Sequence, residues 1–98
     1  MIEKYFYVYI LTNMPYGVFY VGFTSNLPKR IYEHKEGFVD GFTKRYNTKM
    51  LVYYEVFENA ENAIKREKRL KRWPREWKIE AINQFNPEWR DLYGTLTA

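Results

Sequence analysis

Residues 5–11, Tyr-Phe-Tyr-Val-Tyr-Ile-Leu, form an uninterrupted run of aromatic and branched side chains and predict a strand. Alternation sends Tyr5, Tyr7, Tyr9 and Leu11 to one face and Phe6, Val8 and Ile10 to the other. The second face is plain core. The first is apolar but carries hydroxyls. Asn13 to Gly17 is turn material. Val18 to Phe23 predicts a second strand, with Phe19, Val21 and Phe23 matching the aliphatic face and Tyr20 and Gly22 the tyrosine face. Together they predict a hairpin with Tyr7, Tyr9 and Tyr20 on one side. Gly22 inside the strand pattern marks a close approach of backbone or ligand.

Leu27 to about Glu36 predicts a helix, capped by Ser25 or Asn26, with Pro28 in its first turn and Gly37 as its stop. Leu27 and Ile31 face inward, and Arg30 and His34 are neighbours at i, i+4 on the flank of that stripe. Phe38 to Lys49 reads as a loop containing Gly41 and the basic pair Lys44-Arg45. Leu51 to Phe57 is a third strand. Asn59 caps a helix from Ala60 to Trp73 whose inward stripe is Ala63, Ile64 and Leu70. Pro74 breaks it and opens a last helix, Arg75 to Phe85. The tail Asn86 to Leu92 holds Trp89 and is expected to dock, with Gly94 to Ala98 frayed. The order β-β-α-β-α-α predicts a small α/β sandwich, a three-stranded, mainly antiparallel sheet flanked by helices. The direction of the third strand stays open at this level.

The 98 residues suggest one domain, residues 1–98, with a modest core enriched by 20% aromatic content. The absence of cysteine excludes disulfides and thiolate metal sites. No apolar run approaches 18 residues and no signal peptide is visible, so a cytoplasmic protein without a membrane partner is expected. Charge changes the picture through its distribution. The net charge is +4, but residues 65–78 alone carry eight Lys or Arg and two Glu, a local +6. That is the footprint of a polyanion binder, or else a solvated helix face.

Glu67 falls in the middle of the inward stripe of its helix. An inward carboxylate needs a partner. It is either a buried salt bridge, for instance to Lys71 or Arg30, or a ligand for a hard cation such as Mg²⁺. His34 is the only histidine. One turn after Arg30, it combines a proton carrier near neutral pH with a phosphate-holding guanidinium. Tyr9 and Tyr20 fit simple core packing equally well.

The pair Tyr7-Val8-Tyr9 and Tyr20-Val21-Gly22, followed by Thr24, Asn26-Leu27, Arg30 and His34, resembles the GIY-YIG endonuclease domain, closest to small standalone bacterial members. The resemblance covers about residues 4–92, with Glu67 completing the set and Asn86 to Leu92 recurring in such tails. It implies phosphodiester hydrolysis with one divalent ion, Mg²⁺ or Mn²⁺. Glu67 would be the only protein ligand of the metal. Tyr9 would activate water as a base or within a relay, and Tyr20 would hydrogen-bond the scissile phosphate or the nucleophile. Arg30 would neutralise the phosphate, and His34 would orient Tyr9 or relay its proton. Asn86, or alternatively Asn83, would stand for a late asparagine near the metal.

Two departures stand out. Tyr7 replaces the first motif's glycine, and Phe23 stands where repair relatives tend to have a basic residue, which Lys44 would replace. No separate recognition domain is visible, so Lys65, Arg66, Lys68, Arg69 and Arg72 would hold nucleic acid, most naturally DNA, through phosphates with little sequence readout. The reading is a metal-dependent DNA nuclease of the kind used in repair or recombination. The alternatives are a non-catalytic or partner-dependent nucleic-acid-binding module and a protein-interaction domain with an inherited pocket.

Overall fold

A computed structural model describes residues 4–39 and 41–96. The tyrosine-rich run forms β1 (Phe6–Thr12), and the second run forms β2 (Phe19–Thr24). They pair antiparallel, with Tyr9 opposite Gly22 and Leu11 opposite Tyr20. The third strand, β3 (Met50–Phe57), is also antiparallel to β1, giving the order β2-β1-β3. The central strand is therefore the most buried of the three.

The expected alternation holds on both faces. Val8, Ile10 and Val21 build one core with helix α3 (Ala60–Arg72) and helix α4 (Arg75–Phe85). Tyr9, Leu11 and Leu51 build the other with Leu27 and Ile31 of helix α1 (Leu27–Lys35). Asn26 caps α1 by accepting the Lys29 amide at 3.2 Å, and Asn59 caps α3 by accepting that of Asn62 at 3.1 Å. Among the described residues no helix is long and apolar enough to cross a membrane.

Three details differ from the sequence reading. The segment expected as a loop contains a helical turn, α2 (Phe42–Arg45), entered through Gly41 at a φ of +96°. Gly94 to Leu96, part of the stretch expected to fray, belong to a second short turn, α5 (Tyr93–Leu96). Leu92, Tyr93 and Leu96 pack on the tyrosine-face core, which holds that turn in place. Thr97 and Ala98 lie outside the described residues. Ile64, assigned to the inward stripe, is 38% exposed, whereas Ala63 and Leu70 are buried. One residue is 100° of helix, enough to carry Ile64 past the edge of the contact.

A register shift between Ile10 and Leu11 leaves Val52 as the extra residue of a β3 bulge. Asn86 donates from Nδ2 to the Val52 carbonyl at 3.2 Å and to that of Arg90 at 2.8 Å, and its Oδ1 accepts the Arg90 amide. The tail docks as expected. Trp89 is buried, stacks on Tyr16 at 4.4 Å and Phe19 at 5.9 Å, and donates its indole N–H to Asn83.

Candidate active site

Gly22 explains how a tyrosine on the central strand reaches a polar cluster. A Cβ at Gly22 would lie 2.4 Å from both Cζ and Oη of Tyr9. The missing side chain leaves the space the phenol occupies as it lies across β2. The phenol then reaches α1, where its hydroxyl sits 3.0 Å from Nε2 of His34. Nδ1 of His34 lies 3.0 Å from Oγ1 of Thr43 on α2. Tyr9 and His34 are each 1% exposed, and Thr43 is buried with them. Three elements far apart in sequence thus meet in one hydrogen-bonded chain.

Burial dominates the electrostatics of this chain. It pushes the Tyr9 hydroxyl up to about 12, with Arg30 beside it pulling down and losing, while the charges of Tyr20 and Glu67 add to the rise. Burial lowers His34 to about 4, reinforced by the Arg30 charge and opposed by Glu33. At neutral pH the pair is therefore a neutral phenol on a neutral imidazole.

Tyr20 lies tilted against the same centre, its ring 6.4 Å from Tyr9, 5.6 Å from His34 and 6.0 Å from Phe42. It is half-buried, and its hydroxyl makes no hydrogen bond among the described residues. Arg30 is partly open to solvent and sits 3.4 Å from Glu33, a loose, partly exposed pair. Glu67 keeps 18% of its side chain exposed and pairs with Lys71 at 3.3 Å, one of the two partners considered from sequence. Its effect on Tyr9 puts the carboxylate within electrostatic reach of the cluster.

The remaining candidates divide. Tyr7 packs against the tyrosine-face core opposite Thr24 of β2, and Lys44 is an exposed residue of α2 next to Thr43. Asn86 and Asn83 both act as braces of the tail through the hydrogen bonds described above. Arg66 forms a two-pronged pair with Glu55, Nε at 2.9 Å and Nη2 at 3.0 Å, which ties it to the sheet. Lys65, Lys68, Arg69 and Arg72 form an exposed stripe on α3. Sequence reasoning missed Thr43, because α2 was invisible. Lys71 and Lys78, which the sequence places only within the basic segment 65–78, line a hollow of about 240 Å³ with Phe19, Tyr20, Val21 and Phe42.

The donor set bears on the metal. Among the described residues no group of three or more His, Asp or Glu gathers as a metal cluster. A single half-buried carboxylate still fits Mg²⁺, which keeps several waters and takes one or two carboxylates plus substrate phosphate oxygens. Lys71 would have to leave Glu67 for the ion to bind.

The model for the GIY-YIG catalytic domain matches residues 5–80. The chain belongs to the GIY-YIG family. Its relatives include a UPF0213 protein of Clostridium perfringens, 39% identical over 77 residues, covering 79% of this chain and 82% of the relative. A UPF0213 protein of Staphylococcus saprophyticus is 33% identical, covering 80% and 94%. The solution NMR structure of a UPF0213 protein from Bacillus halodurans superposes with a TM-score of 0.55 at 26% identity, over 89% of this chain and 92% of that one. In this GIY-YIG domain, the matched stretch includes both strands of the hairpin, with Tyr9 opposite Gly22 and Leu11 opposite Tyr20.

Proposed function

We propose that this GIY-YIG domain is a metal-dependent nuclease that hydrolyses phosphodiester bonds in DNA with little sequence readout. The observation that carries the reading is the buried Tyr9–His34–Thr43 chain beside Arg30, with the Glu67 carboxylate within reach. Packing alone has no use for a buried polar chain with a neutral histidine bonded at both ring nitrogens.

A phenol near 12 supplies almost no phenolate at neutral pH, so Tyr9 is not a base by itself. The neutral imidazole has one N–H. With that proton on Nδ1, given to Thr43 Oγ1, Nε2 accepts the Tyr9 O–H. As water attacks phosphorus, its proton passes to the Tyr9 oxygen and the Tyr9 proton passes to Nε2. The new P–O bond forms as the bond from phosphorus to the leaving sugar oxygen breaks, and that oxygen takes its proton from solvent. His34 is a weak base in the free protein partly because of the Arg30 charge. A phosphodiester on Arg30 offsets that charge and strengthens the base at the moment it is used. Tyr20 directs its free hydroxyl at the phosphate or the water, and Arg30 stabilises the charge that builds on the phosphate oxygens. A Mg²⁺ or Mn²⁺ ion on Glu67 would supply further charge stabilisation and polarise bound water. Lys71 and Lys78 lie on the Tyr20 side of the site and offer phosphate contacts.

The test is cleavage of supercoiled plasmid, single strands and branched duplexes with Mg²⁺, Mn²⁺ or chelator. Tyr9→Phe and Glu67→Ala, purified identically, control for contaminating nuclease. Metal-dependent cleavage by the wild type alone is expected. Equal activity, or equal inactivity, of the three proteins removes the catalytic claim. One observation favours a second reading, a partner-dependent nucleic-acid-binding module: Lys71 occupies Glu67 in the free chain. On that reading salt-sensitive binding survives both substitutions and turnover appears only when a partner is added.

A further inference from the structure

Lys65, Lys68, Arg69 and Arg72 recur at the three- and four-residue spacings that place side chains on one face of α3. With Trp73, Pro74 and Trp77 they line an open groove of about 660 Å³. Lys65 pairs with Glu61 at 3.3 Å on the surface, while Lys68, Arg69 and Arg72 have no acidic partner among the described residues. Trp77 stands at the end of this stripe and is 55% exposed, a large apolar ring left in water.

The ring next to it is held firmly. Trp73 packs on the aliphatic core, carries the Arg66 guanidinium over its face at 4.8 Å, and meets Trp77 edge-on at 5.8 Å and 75°. Arg66 is itself fixed by Glu55. Pro74, between the two helices, has the φ of −55° that its ring favours and starts α4. Trp77 is therefore an exposed indole whose edge is braced, beside a row of unpaired cations. Glu80 adjoins both indoles in a neighbouring hollow, so phosphates are expected on the α3 side of Trp77 and not on the Glu80 side.

We propose that this groove is a single-stranded nucleic-acid site, with an unpaired base stacked on Trp77 and the adjoining phosphates on Lys68, Arg69 and Arg72. A duplex satisfies the cations but has no free base face for the indole. A single strand uses both. The groove lies on the outer face of α3, and Glu67 lies on the opposite, less exposed side of the same helix, about 10 Å away across its diameter. The substrate is then a DNA that bears unpaired nucleotides a few residues from the scissile phosphate. The inference rests on the nucleic-acid reading above but not on turnover.

Binding is measured in chelator, so that no cleavage enters, with a labelled oligothymidylate and a flush-ended duplex of equal length as probes. Trp77→Ala is expected to weaken oligothymidylate binding about tenfold, the loss of one stacked base, and Trp77→Phe to retain most of it. Duplex affinity should move by less than about twofold. Wild-type indole emission should be quenched on saturation, and that quenching should be largely lost in Trp77→Phe. Arg72→Glu should weaken both probes and flatten the salt dependence of both. Unchanged oligothymidylate binding in Trp77→Ala overturns the proposal, as does equal loss for the two probes or no binding of oligothymidylate by the wild type. Trp77-dependent self-association in sedimentation, or Trp77-dependent capture of a polyglutamate peptide with no preference for single strands, also overturns it. A chain that cleaves nothing yet binds oligothymidylate through Trp77 loses the nuclease reading and keeps this one. A chain that cleaves but ignores Trp77 does the reverse.

Discussion

The two faces of one three-stranded sheet teach different things. Val8 and Ile10 point one way into hydrocarbon, covered by α3 and α4. Tyr9 and Leu11, one residue along, point the other way towards α1. Both faces are buried, and burial has opposite consequences on them. On the aliphatic face it stabilises in proportion to the area removed from water. On the tyrosine face it removes a hydroxyl and an imidazole from water, makes their mutual hydrogen bond obligatory and shifts both away from their ordinary pKa values. Both faces hold the chain folded, and the tyrosine face also carries the buried hydrogen-bonded chain.

Several changes break or sharpen that contrast. The largest effect is expected from Tyr9→Phe, which removes one oxygen and keeps the ring. Cleavage should fall by about 10²- to 10⁴-fold, while stability changes far less than activity, as read by plasmid cleavage beside urea unfolding. Ile10→Ala, its neighbour on the opposite face, should do the reverse. Unfolding free energy drops by about 2–5 kcal/mol, and whatever remains folded keeps its activity per molecule. If Ile10→Ala abolished the specific activity of the folded fraction, the separation of faces would be wrong.

Gly22→Ala crosses the divide. It puts a methyl where Tyr9 Oη lies, so the phenol must move. Activity should fall nearly as far as in Tyr9→Phe, together with a stability loss of about 1–3 kcal/mol from overpacking. Wild-type activity in Gly22→Ala would show that the phenol position does not matter.

The pH dependence comes next. His34 is lowered to about 4 in the folded chain and returns to about 6.5 when unfolded. Between those values the unfolded state binds the extra proton, so the native state loses stability as pH falls from 6.5 to 4 and levels off below. The full loss is roughly 3 kcal/mol. Urea unfolding at several pH values should show this slope in the wild type and not in His34→Gln. In the proposed reaction the acid limb of kcat/KM should follow the same group near 4, and the limb of kcat should lie higher once phosphate covers Arg30.

The smallest effect is expected from Thr43→Val. It keeps the shape but strips Nδ1 of its partner, costing about 1 kcal/mol and freeing the ring to turn. Its signature is a drop in kcat larger than the stability change.

Much of this was legible in the chain. Alternation in residues 5–11 and 18–23 separates the two faces, and a glycine at position 22 inside a strand pattern signals the close approach that Tyr9 makes. The helices containing Arg30, His34 and Glu67, and the Lys71 partner of Glu67, could be read from spacing. What could not be read was local structure too short to carry a period. A four-residue helix such as α2 completes barely one turn, and its entry depends on a single glycine with positive φ. The β3 bulge is equally silent, and with it the bracing role of Asn86.

The sequence by itself determined which residues share a strand face or a helix face, because both periodicities are properties of the backbone and act over a few residues. It therefore determined the longer elements and the two faces of the sheet. Only the tertiary structure decided that Tyr9, His34 and Thr43 form one chain, that Arg66 braces Trp73 against the sheet and that Trp77 stays in water. Those facts join residues from different elements. They depend on how the helices settle on the sheet, which is a balance of packing over the whole molecule that no local pattern encodes.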